Sequence, residues 1–296
     1  MSDAQAEVLG MTLLHSLWQG ALWSIILFAA LRFLRHSESR YLAGLLAIGG
    51  FLSGVLITGG IQLSHAQTSN DLVLTASASR LIVLPTEATD NGYLPAFTSF
   101  LPWFINFWLL GTFLFIVRMI AGMHYMNRIE NLGSAEIPEE WSEIIGRIAS
   151  DLKIRRPVKV INSMHVDMPM VYGYFKPVLF LPVSYLSGLS PDQLEAVFAH
   201  ELAHIRRHDF LVNFIQRFIE AIFFFNPFIW WISRSVNAER ERCCDDLAVR
   251  YSSDRRSYVR ALSTLEIYRS EHTALALGLA SDRGDLMHRI RRLIEP

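Results

Sequence analysis

The chain has 296 residues, of which 51% are hydrophobic and only 19% charged, with a formal net charge of −1; this argues against an ordinary water-soluble enzyme and against a non-specific nucleic acid binder. The charges are unevenly placed, because residues 1–117 hold 4 of the 27 Lys and Arg and 6 of the 28 Asp and Glu. Cys243 and Cys244 are the only cysteines and they are adjacent, which excludes a disulfide framework and a four-thiolate zinc site.

Residues 8–31, 41–63 and 94–117 contain no Asp, Glu, Lys or Arg. A membrane-spanning helix needs about 20 mainly apolar residues, so each stretch reads as a transmembrane helix. The first is not expected to be a signal peptide, since Met-Ser-Asp-Ala-Gln-Ala-Glu is acidic where such a leader is basic. Arg32, Arg35 and Arg40 lie between the first two stretches and Arg118 and Arg128 follow the third, whereas residues 64–93 hold Arg80 alone. Positive charge marks the cytoplasmic side, so the N-terminus and an outer loop at 64–93 are expected outside, and everything after Arg118 inside, a multi-pass layout in the cell (inner, cytoplasmic) membrane. A short hairpin is expected at 81–84 within that loop. The fold class expected is a mainly α membrane protein: three transmembrane helices (domain 1–117) and a cytoplasmic α+β domain (118–296) with a small sheet.

The second part opens with a helix over 138–152, on which Trp141, Ile144, Ile145 and Ile148 recur at helical spacing. Two β-type runs follow, at 158–161 and 178–181. Ser190, Pro191 and Gln193 then mark a helix start as N-cap, first helical residue and capping-box partner.

That helix carries His200-Glu-Leu-Ala-His204. Residues four apart share a helix face, so His200 and His204 can bind one Zn2+ ion while Glu201 reaches the attacking water as general base. A third ligand must come from elsewhere, because Phe210 stands where the extended form of the motif needs another His. His208 is two turns from His200, about 12 Å, too far to share the ion. If Asn237–Asp246 is helical, Glu241 could be the third ligand, with Asp245 one turn on orienting a ligating imidazole. Spacing alone leaves open that this charged run is a solvated helix with local pairs such as Glu239 with Arg242. Cys243 and Cys244 are expected to pack rather than ligate. The apolar segment 210–231 is expected to turn at Asn226-Pro227 and to associate with the membrane domain or its interface.

Together these residues resemble the BlaR/MecR-type antirepressor family of membrane zinc metallopeptidases. The likeness rests on Pro169-Met-Val-Tyr-Gly173, Lys176-Pro-Val-Leu-Phe-Leu-Pro182, Ala199-His-Glu-Leu-Ala-His-Ile-Arg-Arg-His-Asp209, Phe225-Asn-Pro-Phe-Ile-Trp-Trp231 and Glu239-Arg-Glu-Arg-Cys-Cys-Asp-Asp246. A weaker likeness extends to HtpX and prenyl-protein membrane proteases. The resemblance implies a zincin-like domain, Glu241 rather than Glu239 as third ligand, and Asp245 in support. It also implies a zinc endopeptidase acting in signal transduction on itself or on a cytoplasmic repressor. A quality-control protease and a catalytically inactive receptor or scaffold are the alternatives. Antibiotic-sensing members continue into an outer sensor domain; no sensor-sized domain is seen before Pro296, so β-lactam sensing is not expected of this sequence. Expected partners are a protein substrate, the lipid bilayer and, as an open alternative, a second copy in a homodimer, with no direct nucleic acid binding. A substrate segment is expected to add as a strand beside 178–181, with Tyr172, Tyr174, His208 or an Arg as oxyanion or substrate contacts.

Overall fold

The computed structural model describes residues 3–78, 94–132, 137–166, 168–182, 186, 188–252, 255–273 and 283–294. Among these, helices α1 (Asp3–Phe33), α2 (Ser37–Ala78), α3 (Leu94–Leu132) and α4 (Glu139–Asp151) come first. Strands β1 (Lys159–Asn162), β2 (Met170–Tyr172) and β3 (Val178–Leu181) follow, and then α5 (Pro191–Arg207), α6 (Asp209–Ile222), α7 (Pro227–Tyr251), α8 (Arg255–Thr273) and α9 (Arg283–Ile294). The chain divides into two compact units, one of residues 1–117 with 218–236, the other of 118–217 with 237–296.

The helical segments 5–33, 37–68 and 100–132, the last of which continues from the first unit into the second, are each long and apolar enough to cross a membrane. Ile25, Leu46, Leu56, Trp103 and Phe113 are exposed along these helices, as expected of side chains whose solvent is lipid. α2 runs to Ala78, so the outer loop expected from residue 64 does not begin there; with no Gly or Pro between 62 and 78, nothing ends the helix where its apolar run ends. The hairpin expected at 81–84 lies outside the described residues.

Residues 218–236 form the tip of a helical hairpin inserted among these helices. The chain reverses at Phe223–Asn226, before Pro227 opens α7. A reversal in apolar surroundings strands carbonyl groups, and two indoles serve them. Trp108 Nε1 donates to the Ile222 carbonyl at 2.7 Å, and Trp230 Nε1 to that of Phe224 at 2.9 Å. Asn226 donates from Nδ2 to the Ser16 carbonyl at 2.9 Å and accepts the Phe228 amide at 3.0 Å. Two glycines make room for the tip. A Cβ on Gly20 would fall 2.8 Å from the Asn226 amide, and one on Gly111 would fall 2.2 Å from the Phe224 ring. Lower on the hairpin, the buried Glu220 carboxylate accepts from Ser233 Oγ.

The second unit is built on α5. Leu194, Val197, Phe198, Leu202 and Ile205 of that helix pack with Trp141, Ile145 and Ile148 of α4, Leu179 and Leu181 of β3, and Tyr258, Leu262 and Leu265 of α8. The sheet has the order β1-β3-β2, with β1 parallel and β2 antiparallel to β3. Alternation along β3 sends Leu179 and Leu181 to the helical core, and Val178 and Phe180 to a second cluster with Ile129 and Ile161. β3 is therefore central and buried throughout. This corrects the expectation that a substrate could pair with it: both of its edges are taken, and the strand that supplies one of them, β2, was not anticipated.

Candidate metal centre

The capping box at the start of α5 is present as expected: Ser190 Oγ accepts the Gln193 amide, and the Gln193 side chain accepts the Ser190 amide at 2.8 Å. It fixes where the helix begins, and hence which face His200 and His204 share. Their rings lie 5.0 Å apart. α7 supplies the third group. Glu241 Oε2 is 3.5 Å from His200 Nε2, and Oε1 is 3.9 Å from His204 Nε2. One ligand atom from each residue lies within 4.8 Å of the others. Tetrahedral zinc with bonds of about 2.0–2.2 Å separates its ligands by roughly 3.4 Å, so this nitrogen, nitrogen and carboxylate set fits one ion.

The far side of each imidazole is also held. His200 Nδ1 is 3.2 Å from Asp245 Oδ1 and 2.9 Å from Tyr258 Oη, and the tyrosine donates to the same carboxylate oxygen at 2.7 Å. His204 Nδ1 lies 2.8 Å from Asp209 Oδ2. A carboxylate on Nδ1 favours the tautomer whose Nε2 lone pair is free for a metal. A second group of metal-binding residue types, His204, Asp209 and Cys244, is also close together. It reads as support for the first site, because burial and the neighbouring Asp209 charge push the Cys244 thiol well above its ordinary value and keep it protonated.

Charge is concentrated and balanced here. Burial opposes the Asp245 charge, but the hydrogen bond with His200 and the Arg289 guanidinium outweigh it and hold the carboxyl well below its ordinary value. Burial likewise opposes the charge on Glu241, and His204, His200 and Arg289 overcome it. His200 is pushed up to about 9, its burial being outweighed by Asp245 and Glu241. Burial raises the Glu201 carboxyl above its ordinary value, while His200 and His204 oppose the rise.

The structure brings His200, Glu201, His204, Glu241 and Asp245 together. Glu239 is turned into the domain, where it accepts from Arg242 at 2.6 Å, the local pair that spacing had left open. Cys243 and Cys244 are buried. Tyr172, Tyr174 and His208 have other engagements, none of them with the three metal-facing residues among the described contacts. Tyr172 Oη donates to the Met123 carbonyl at 3.2 Å, and the Arg156 guanidinium lies 4.4 Å over the Tyr174 ring. His208 is exposed and ends α5 in the left-handed region, at φ 61°. Sequence reasoning missed Asp209, Tyr258 and Arg289. On an unbroken helix a residue five positions on points about 140° away, so Asp209 would have missed His204; the left-handed turn at His208 redirects it. Tyr258 and Arg289 belong to no motif.

Comparison with known proteins gives the family of the chain. A family model described as BlaR1 peptidase M56 matches residues 12–293. "Regulatory protein BlaR1" of Bacillus licheniformis is 22% identical over 193 residues, which cover 64% of this chain and 32% of that protein. "Methicillin resistance mecR1 protein" of Staphylococcus aureus (strain Mu50) is 23% identical over 169 residues, covering 56% of this chain and 28% of its own. A "Protease HtpX homolog" of Thermoplasma acidophilum is 32% identical over 72 residues, 23% of this chain and 22% of that one. The chain thus spans about a third of the length of the first two relatives. With a match that takes in the apolar helices as well as the His-Glu-x-x-His helix, the chain belongs to the BlaR1 peptidase M56 family of metallopeptidases.

Proposed function

We propose that this chain is a membrane-anchored zinc endopeptidase cutting protein substrates on the cytoplasmic side, in signalling that ends in self-cleavage or in cleavage of a transcriptional repressor. The observation that carries the reading is the convergence of His200, His204 and Glu241 beside the half-buried Glu201. Those three residues would hold a zinc ion, which would supply Lewis-acid polarisation of the scissile carbonyl and a lowered pKa for water. Glu201 accepts the proton of the attacking water and passes it to the leaving amine; its raised pKa brings it nearer to working pH, which suits both transfers. Asp245 and Asp209 hold the two imidazoles in the ligating tautomer. An extended substrate would pair with the outer edge of β2, whose inner edge is bonded to β3. The cations Arg32, Arg35, Arg40, Arg118 and Arg128 support an outside N-terminus and an inside catalytic unit.

The test is Glu201→Gln in the full chain, reconstituted in lipid. Zinc content should stay at the wild-type level while cleavage falls by about 10²–10⁴-fold. Cleavage that persists in that variant would overturn the assignment. A quality-control protease is the second reading, favoured by the HtpX-homolog match. The two differ in product pattern: a signalling protease cuts itself or one repressor at defined bonds, whereas a quality-control enzyme degrades many misfolded membrane proteins.

A further inference from the structure

The C-terminal helix α9 carries a charge into the metal centre that the reaction outlined above does not use. Arg289 Nε and Nη2 donate to the two oxygens of Asp245 at 3.0 and 2.6 Å, a two-pronged guanidinium–carboxylate pair. Nη2 also lies 3.4 Å from Tyr258 Oη and 3.4 Å from His200 Nε2. Nη1 lies 3.4 Å from Glu241 Oε2. One guanidinium thus touches two of the three metal-facing residues and both groups that hold the far side of the His200 ring.

We propose that Arg289 is a positioning residue of the metal centre, fixing His200 through Asp245 and so coupling metal affinity to the seating of α9. The inference rests on the metal reading above. Asp245 has no solvent exposure, so its charge needs a partner within the protein, and Arg289 is the cation that pairs with it. Asp245 Oδ1 receives Tyr258 and Arg289 together and faces His200 Nδ1 at 3.2 Å. Removing the guanidinium leaves that carboxylate buried and unbalanced. It then shifts toward other donors, and that movement releases the Nδ1 contact that sets the ligating tautomer. Lysine cannot substitute fully, because an ammonium cannot bridge both carboxylate oxygens in one plane. A further ionic attachment of α9 provides a control: Arg292 donates to Asp246 Oδ1 at 2.7 Å and to the Arg242 carbonyl at 3.4 Å, and neither of those residues belongs to the groups placed to hold a metal among the described residues.

The experiment is zinc affinity by chelator competition, with the absorption spectrum of the cobalt-substituted protein as a second readout, on the full chain in detergent. Arg289→Gln is expected to weaken zinc binding by about 10–100-fold, as Asp245→Asn does, and to alter the cobalt bands. The double variant should match Asp245→Asn within about twofold, because the two residues act as one unit. Arg289→Lys should fall between wild type and Arg289→Gln, and it carries the test should the glutamine variant fail to fold. Arg292→Gln should lower the melting temperature and leave zinc affinity within about twofold of wild type. Wild-type affinity in both Arg289 variants, equal losses in Arg289→Gln and Arg292→Gln, or additive losses with Asp245→Asn would each overturn the inference. A wild-type chain that takes up no zinc would overturn the metal reading as well, which separates the two failures.

Discussion

Replacing Glu241 by Gln tests the third-ligand assignment with little change in shape. The amide keeps the volume of the side chain but loses the charge that faces His200 Nε2 at 3.5 Å, His204 Nε2 at 3.9 Å and Arg289 Nη1 at 3.4 Å. Four-ligand structural zinc sites bind with roughly 10–16 kcal/mol, so the share of a single ligand is about 3 kcal/mol, or roughly 10²-fold in affinity. Titration with a competing chelator should show that loss in Glu241→Gln. Glu239→Gln, two residues away and paired with Arg242 at 2.6 Å, should keep wild-type zinc affinity. The reasoning is refuted if Glu241→Gln binds zinc normally while Glu239→Gln does not, because the carboxylate on the metal would then be the other one.

Two further substitutions probe the supports of the site. Asp209→Asn removes the carboxylate 2.8 Å from His204 Nδ1 and should reduce zinc affinity by about tenfold; unchanged affinity would show that the contact does not orient the ring. Phe198→Ala empties a fully buried position on α5, whose ring lies 5.8 Å from that of Trp141. It should cost about 3–5 kcal/mol of stability, read as a lower melting temperature in detergent. A melting temperature equal to that of wild type would mean that α4 and α5 are not held together by this core.

Much of the molecule could be read along the chain because its determinants are local. Long charge-free runs mark the apolar helices, since about 20 residues of any uncharged apolar sequence satisfy the same requirement of length and composition. The start of α5 was legible for a similar reason: Ser190, Pro191 and Gln193 act on the backbone within three residues of themselves. His200, Glu201 and His204 needed only the pitch of a helix, and Glu241 with Asp245 needed the same pitch plus a resemblance. The end of an apolar run does not by itself end a helix, as α2 shows by continuing to Ala78.

Contacts that depend on folding over distance were not visible in the linear chain. The order β1-β3-β2 made the most apolar strand the central one and left β1 and β2 at the edges, a choice made by packing against α5 on one face and the Ile129 cluster on the other. Asp209 reaches His204 only because His208 takes a left-handed conformation that redirects the chain. Tyr258 and Arg289 reach His200 from 58 and 89 residues away. A ligand motif needs only its own helix to be recognised. The groups that hold its imidazoles and balance its buried charge come from whichever elements pack nearby, and that packing is a property of the assembled core.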